Sequence, residues 1–187
     1  MNKRIIALSI LALHFHPAAA YDFPGRETAP GAREIAIRSR AIVAFSPNGQ
    51  ATNVIVDAIR QAKSQILVQA YSFTSKPILS ALAQAKERGV DVEVIADRSN
   101  DRGRYSGATY MVNHGVPVWI DDSVHIAHNK VMIFDRKSVL TGSFNFSAAA
   151  QKYNAENILL VENSPELAAA YINDWQWRQS LSRKFSR

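Results

Sequence analysis

The chain has 187 residues, of which 22 are basic and 16 acidic, and it contains no cysteine. This length is enough for one domain that buries about two thirds of the surface of its unfolded chain. Without cysteine there are no disulfides, thiolate nucleophiles or thiolate metal sites, so catalysis has to use His, Lys, Ser or carboxylates. The excess of basic residues favours a polyanionic partner without being specific to one.

The first twenty residues predict an export signal rather than a part of the fold. Lys3 and Arg4 precede an apolar run over residues 5–15, and small residues end the segment at Ala20. The apolar run is shorter than the ~20 residues that a membrane-spanning helix needs. We therefore expect a signal peptide at residues 1–20 and a periplasmic or secreted protein. The mature chain, residues 21–187, keeps 20 basic and 16 acidic residues and a net charge of +4.

The rest of the chain alternates between strand and helix patterns. Strands are predicted at 41–45, 65–71, 90–96, 116–120, 126–134, 138–143 and 156–161, and helices at 51–62, 76–88, near 108–114, after Ser147 and from Ser164 onward. Gly89 and Gly115 follow predicted helices at positions that favour a left-handed cap. The pattern predicts a single α/β domain with a mixed, largely parallel sheet flanked by helices on both faces.

A group of polar residues surrounds the predicted turn at residues 135–137. On a strand, residues two apart share a face, so His128 and Lys130 are expected to project together. The returning segment adds Gly142, whose lack of a side chain lets backbone approach a ligand, and the hydrogen-bonding side chains of Ser143 and Asn145. Such a set suits a phosphate diester, because lysine stabilises the negative charge of the transition state and histidine can attack phosphorus.

The spacing His128-x-Lys130-x4-Asp135-x6-Gly142-Ser143-x-Asn145 fixes six identities over eighteen positions. It resembles the motif of the phospholipase D superfamily, and the chain is similar to the small exported bacterial endonucleases of that superfamily, which have one motif per chain. The stretches at 70–75, 89–99 and 154–161 also resemble family segments. The resemblance implies a phosphodiesterase without metal or cofactor, which forms a phosphohistidine intermediate and cuts DNA, with RNA as a second candidate substrate.

The resemblance also implies roles for two carboxylates. Glu156 corresponds to a glutamate that hydrogen-bonds the histidine ring, which would fix the tautomer of His128. Asp135 is counted among the catalytic residues because it belongs to the motif. Strand parity nevertheless places Asp135 on the face opposite His128, which favours a structural role in the turn.

A single motif per chain predicts a homodimer. Cleavage through a covalent intermediate needs a neutral imidazole that attacks and a protonated group that protonates the leaving oxygen. Two copies of His128 facing each other across a two-fold axis would meet both needs, and the resemblance implies the same composite active site.

Other functions remain open at this point. A phospholipase D acting on lipid headgroups would share the chemistry, although the mature chain has no amphipathic membrane-binding segment and we expect no stable membrane association. A catalytically inactive nucleic-acid-binding protein is a rival of another class. A metal site at His125 and His128 with Asp121 or Asp122 lacks a third imidazole or a thiolate. Ser143 lacks the Gly-x-Ser-x-Gly context of a serine hydrolase.

Basic and aromatic residues outside the motif are weaker candidates. Tyr71 and Phe73 are expected in the core or in a pocket wall rather than as stacking platforms for bases. Basic side chains that would contact phosphates, or else remain solvated, are Arg98, Arg102 and Arg104 in a polar loop and Arg183, Lys184 and Arg187 at the end of the chain.

Overall fold

The computed structural model describes residues 31–101 and 106–186. The fold is that of the compact unit Ile35–Arg187; of the other unit, Met1–Glu34, only residues 31–34 are described, and they form no helix or strand. The predicted signal peptide at residues 1–20 lies outside the described residues, so the division into a signal and one catalytic domain stays a prediction.

One sheet of eight strands organises the described residues. Its strands are β1 (Ala41–Ser46), β2 (Gln65–Ala70), β3 (Asp91–Asp97), β4 (Val118–Asp121), β5 (Lys130–Phe134), β6 (Ser138–Gly142), β7 (Glu156–Val161) and β8 (Arg183–Phe185). Their order across the sheet is β1-β7-β6-β5-β2-β3-β4-β8. The short strand β8, which pairs with β4, has no counterpart in the sequence prediction.

The sheet is mixed, as predicted, but the expected predominance of parallel pairing is wrong. Among the described strands, β2–β3 and β3–β4 are parallel, whereas the other five pairings are antiparallel. Parallel neighbours need a crossover connection, which α2 provides between β2 and β3 and α3 provides between β3 and β4. A three-residue turn joins β5 to β6 and makes that pair antiparallel.

Five α-helices accompany the described strands: α1 (Ala51–Gln61), α2 (Lys76–Glu87), α3 (Gly107–Asn113), α4 (Ala148–Lys152) and α5 (Pro165–Leu181), with a 3-10 turn at Arg98–Asn100. Ser147 caps α4 as predicted, because its hydroxyl accepts a hydrogen bond from the Ala150 N–H at 3.2 Å. Gly89 and Gly115 follow α2 and α3 at positive φ, which confirms their predicted place at the helix ends.

Helices cover both faces of the sheet, as the sequence predicted. Ile66 and Val68 of β2 lie in a buried cluster with residues of α1, α2 and α3, whereas Leu67 packs on the opposite face against α5. Trp175 fixes α5 there, since its indole N–H donates to the Val68 carbonyl at 3.0 Å. The alternation of β2 therefore separates a face covered by α1, α2, α3 and α4 from a face covered by α5.

The helices also bear on the question of a membrane span. In the part of the chain that the structure describes, none of them has the length and apolar character needed to cross a bilayer.

Candidate active site

The motif residues meet at one edge of the sheet. β5 begins at Lys130, β6 ends at Gly142 and β7 begins at Glu156, and these three strands are antiparallel neighbours. Because the direction alternates from strand to strand, the start of β5, the end of β6 and the start of β7 share an edge. The structure thus brings Lys130, Glu156 and the Gly142-Ser143 segment to the same place.

His128 does not lie on a strand, which corrects the predicted strand at 126–134. β5 begins at Lys130, and residues 122–129 form a loop. The loop is held by contacts other than a strand ladder, including a 2.8 Å hydrogen bond from the Ala127 N–H to the Asp97 carboxylate. His128 is exposed, as a nucleophile needs to be, while Lys130 is only 6% exposed.

The ammonium of Lys130 is held next to His128. Its Nζ donates to the His128 carbonyl at 2.6 Å and lies 5.2 Å from the centroid of the Tyr71 ring. The same ring stands 4.5 Å from the imidazole of His128. Burial lowers the pKa of Lys130, and the carboxylate of Glu156 acts in the opposite direction. A phosphate bound here would offset the burial of this cation.

The role that the resemblance implies for Glu156, a hydrogen bond to the histidine ring, stays a prediction. The Oε1 of Glu156 accepts a hydrogen bond from the Asn154 side-chain amide at 3.0 Å, and within the described ranges no hydrogen bond joins Glu156 to the imidazole of His128. Through its charge, Glu156 also supports the protonated form of Lys130.

Gly142 is required by packing against β7. Its φ is +153°, and a Cβ at this position would lie 2.3 Å from the Asn157 carbonyl oxygen. The close approach of β7 accounts for a glycine at this position, and the predicted contact of Gly142 with a phosphate stays a prediction. The exposed Ser143 hydroxyl accepts from the Asn157 N–H at 3.1 Å, and the half-buried Asn145 has an Oδ1 that is buried without a hydrogen-bond partner among the described atoms.

Asp135 lies at the other end of β5 from Lys130, which separates it from the catalytic group in which the motif placed it. Its carboxylate accepts hydrogen bonds from the backbone N–H groups of Lys63, Ser64 and Gln65 at 2.7–3.1 Å and from the Ser64 hydroxyl at 3.0 Å. Burial acts to raise the pKa of Asp135, but these bonds outweigh it and the pKa lies below its usual range. The placement agrees with the structural role that strand parity favoured.

An open cleft of about 790 Å³ adjoins the site through Tyr71. Tyr71 is thus a pocket wall, whereas Phe73 is fully buried in the core. The remaining wall is mostly charged or polar and consists of Asp97, Arg98, Ser99, Asp101, Asp122, His125, Ile126 and Arg183. Of the basic candidates outside the motif, Arg98 and Arg183 line this cleft and Lys184 is exposed on β8. Arg102, Arg104 and Arg187 lie outside the described residues.

The alternative metal site is not assembled. Asp121 forms an ion pair with Arg178, and Asp122 pairs with Arg183. Over residues 31–101 and 106–186, no group of three or more His, Cys, Asp or Glu side chains is placed to hold a metal ion.

Sequence reasoning missed the contact of Asn129 with Gln69 beside the motif residues. The amide of Asn129, between His128 and Lys130, donates to the Gln69 side-chain oxygen at 2.9 Å. A signal for Gln69 was present: it is the lone polar residue in the interior of an otherwise apolar strand. Its partner is sixty residues away, so the contact itself was not visible in the sequence.

Comparison with known proteins places the chain in a family. Residues 55–178 match the family model described as "Cardiolipin synthase, PLD-like domain". A phospholipase D of Rickettsia felis is 42% identical over 150 residues, which are 80% of this chain and 72% of that relative. The chain belongs to the phospholipase D family. The resemblance read from the motif is thereby confirmed.

Two solved structures agree with this fold. Nuc from Salmonella typhimurium, described as a phospholipase D family member, is 39% identical with a TM-score of 0.77, and the match covers 80% of this chain and 100% of Nuc. NucT from Helicobacter pylori shares the fold with a TM-score of 0.71 at 24% identity, over 78% of this chain and 99% of NucT. The chain is a hydrolase of the phospholipase D superfamily, a phosphodiesterase.

Proposed function

We propose that this phosphodiesterase is an endonuclease that hydrolyses DNA, with RNA as a second candidate substrate, without a metal ion. The observation that carries the choice of a nucleic acid is the shape of the cleft of about 790 Å³ that adjoins Tyr71: it is open and mostly polar, and two of its carboxylates, Asp101 and Asp122, are paired with Arg183. A phosphodiester chain passes through such a cleft without needing a pocket for acyl chains. The net charge of +4 over residues 21–187 and the full-length match to Nuc support the same choice.

The proposed chemistry uses the contacts at the sheet edge. A neutral imidazole of His128 attacks phosphorus, the bond to the leaving oxygen breaks, and that oxygen takes a proton from a second imidazolium. Water then attacks the phosphohistidine, gives its proton to the second imidazole and frees His128. Lys130 supplies the positive charge that stabilises both transition states, because its ammonium is fixed beside His128 rather than free in solution.

The second imidazole is proposed to be His128 of a partner subunit, so that two chains share one site. His128 is exposed, and the same loop presents the apolar side chains of Val124 and Ile126, which are 36% and 47% exposed. Exposed apolar side chains beside an incomplete site are what a second copy would cover.

Mixing subunits tests the shared site. Wild-type protein is mixed with an equal amount of His128→Ala and left until the subunits have exchanged. The activity of the mixture is then compared with that of wild type alone at the same total protein concentration. If only wild-type pairs are active, about one quarter of the total activity remains, whereas independent sites would leave about one half. An activity of about one half, in proportion to the number of wild-type chains, would overturn the composite site.

A phospholipase acting on lipid headgroups is a second candidate, since the Rickettsia relatives are named phospholipase D. The exposed Val124 and Ile126 also favour it, because apolar side chains near a nucleophile suit a lipid surface.

One experiment separates these functions. Purified mature protein is incubated with plasmid DNA and with phosphatidylcholine vesicles in excess EDTA, beside His128→Ala and the control His114→Ala, which removes a histidine that follows α3 and does not line the cleft. We expect DNA cleavage that survives chelation and the control but is lost with His128. Headgroup release with intact DNA would establish the lipid enzyme, and salt-sensitive DNA binding without turnover would indicate a binding protein. Loss of cleavage with EDTA would contradict the metal-free mechanism.

We also propose that the protein is exported, from the residue pattern at 1–20. N-terminal sequencing of the protein recovered from the periplasm or medium should begin at Tyr21. Recovery of the full chain from the cytoplasm alone would contradict this proposal.

A further inference from the structure

A buried amide lies on the sheet face that α5 covers. Gln69 is only 4% exposed, and its cross-strand neighbours Val131 and Ile95 are apolar and buried. An amide buried without hydrogen bonds costs about 1–3 kcal/mol. Gln69 avoids this cost: its Oε1 accepts from Asn129 at 2.9 Å, and its Nε2 donates to the Asp174 carboxylate at 3.0 Å.

The chain of hydrogen bonds ends inside the catalytic motif. Asn129 separates His128 from Lys130, and its carbonyl accepts from the Tyr71 N–H at 3.1 Å. Both the backbone and the side chain of Asn129 are therefore tied to the end of β2. Since consecutive side chains of extended backbone point to opposite faces, fixing Asn129 on the α5 face directs Lys130 to the other face.

The other end of the catalytic loop is tied to the same helix. Arg178, four residues after Asp174 on α5, forms an ion pair with the buried Asp121, and its guanidinium also donates to the Ser123 hydroxyl at 3.1 Å. Residues four apart lie on one face of a helix. One face of α5 thus holds both ends of the loop 122–129, at Asp121 directly and at Asn129 through Gln69.

We propose that Gln69 and Asp174 are positioning residues that set the geometry of His128 and Lys130 through Asn129. The inference rests on the proposed role of His128. It adds a connection from His128 to α5, the helix that covers the Gln69 face of the sheet. A misplacement of about 1 Å can cost about 100-fold in rate. We call the hydrogen-bonded chain Asp174–Gln69–Asn129 the relay. Breaking the relay should therefore lower kcat and leave KM nearly unchanged, because KM reflects binding in the open cleft.

The test measures kcat and KM with bis(p-nitrophenyl) phosphate, a small diester whose cleavage does not depend on whether the natural substrate is nucleic acid or lipid. Gln69→Met keeps the volume of the side chain and removes both hydrogen bonds. Gln179→Met is the matched control, because Gln179 is also on α5 and its amide donates to a carboxylate, that of Glu93 at 3.3 Å, away from the loop. We expect kcat to fall about 10- to 100-fold in Gln69→Met and to stay within about 2-fold in the control.

Variants at Asp174 give the second measurement and keep the proposal testable if Gln69→Met does not fold. Asp174→Asn keeps an oxygen acceptor and should retain kcat within about 3-fold, whereas Asp174→Leu should match Gln69→Met. Combining Gln69→Met with Asp174→Leu should add little further loss, since both break one relay.

The opposite results would overturn the proposal. A kcat in Gln69→Met or Asp174→Leu equal to that of the Gln179→Met control, at a similar loss of thermal stability, would mean that the relay is structural only. Failure of the proposed function has a different signature: wild type would not cleave the diester, or His128→Ala would cleave it equally well.

Discussion

The role of Asp135 can be decided by one substitution, Asp135→Asn. The carboxylate accepts hydrogen bonds from three consecutive backbone N–H groups, those of Lys63, Ser64 and Gln65, and from a hydroxyl. It thereby fixes the turn that leads into β2 and lies at the far end of β5 from Lys130. We expect the substitution to lower stability and to leave the chemical step intact.

The magnitude follows from the donors that the amide cannot satisfy. Asparagine offers one acceptor oxygen in place of two and points an NH₂ group at a site lined by N–H donors. Loss of a charge-assisted hydrogen bond and an unpaired donor at a half-buried position cost about 2 kcal/mol. For a domain of this size that corresponds to a fall of about 4–8 °C in Tm.

The assay compares urea unfolding with kcat at a temperature where both proteins are folded. Asp91→Asn is the control, because Asp91 is an exposed carboxylate at the neighbouring strand that accepts a single bond from the Gln65 side chain at 3.0 Å. The control should change stability by less than about 0.5 kcal/mol. A large fall in kcat in Asp135→Asn, with stability unchanged, would refute the structural role.

The same prediction has a pH dependence. The pKa of Asp135 in the folded protein lies below its usual range, so the unfolded chain binds a proton more readily than the folded one as the pH falls. The stabilisation is therefore present above the ordinary pKa of an aspartate and is lost as the pH falls toward the lowered pKa. The difference in stability between wild type and Asp135→Asn should shrink in that acidic range. A difference that grows there would mean that the backbone hydrogen bonds do not hold the carboxylate in its ionised form.

Three further predictions concern the sheet edge. Lys130→Met should lower kcat by about 100-fold or more without loss of Tm, because the transition state loses its fixed cation while the fold loses a buried charge. Glu156→Gln removes the carboxylate that raises the pKa of Lys130, so the pKa of the Lys130 ammonium, followed by carbon NMR of its Cε, should fall; a rise would contradict this electrostatic role. Gly142→Ala should lower the urea midpoint, since its Cβ would collide with the Asn157 carbonyl, and an unchanged midpoint would show that β7 can retreat.

Most of the fold could be predicted because its patterns are local. The strand at 65–71, the helix at 76–88 and the cap at Ser147 follow from periodicity and from single-residue preferences, and the structure has β2, α2 and α4 there. The direction of pairing depends on which strands become neighbours, which is a property of the whole chain. The sheet was therefore expected to be largely parallel when most of its pairings are antiparallel.

The sequence predicted which residues meet at the candidate site better than it predicted how their backbone is arranged. The motif spacing named His128 and Lys130, but the strand pattern extended too far back and placed His128 on a strand. Hydrogen bonds from distant parts of the chain, such as that between Ala127 and Asp97, decide where the loop ends and β5 begins. The contact of Asn129 with Gln69 joins residues that only the folded sheet brings together.

The central claim is that His128 attacks phosphorus and carries a covalent intermediate. Protein mixed with bis(p-nitrophenyl) phosphate and quenched within one turnover in alkaline denaturant should carry one p-nitrophenyl phosphoryl group, and peptide mass spectrometry should place it on His128. His128→Asn should carry none, while His114→Ala, a change outside the cleft, should be labelled like wild type. A label on Ser143, or turnover by wild type without any labelled histidine, would contradict the proposed mechanism.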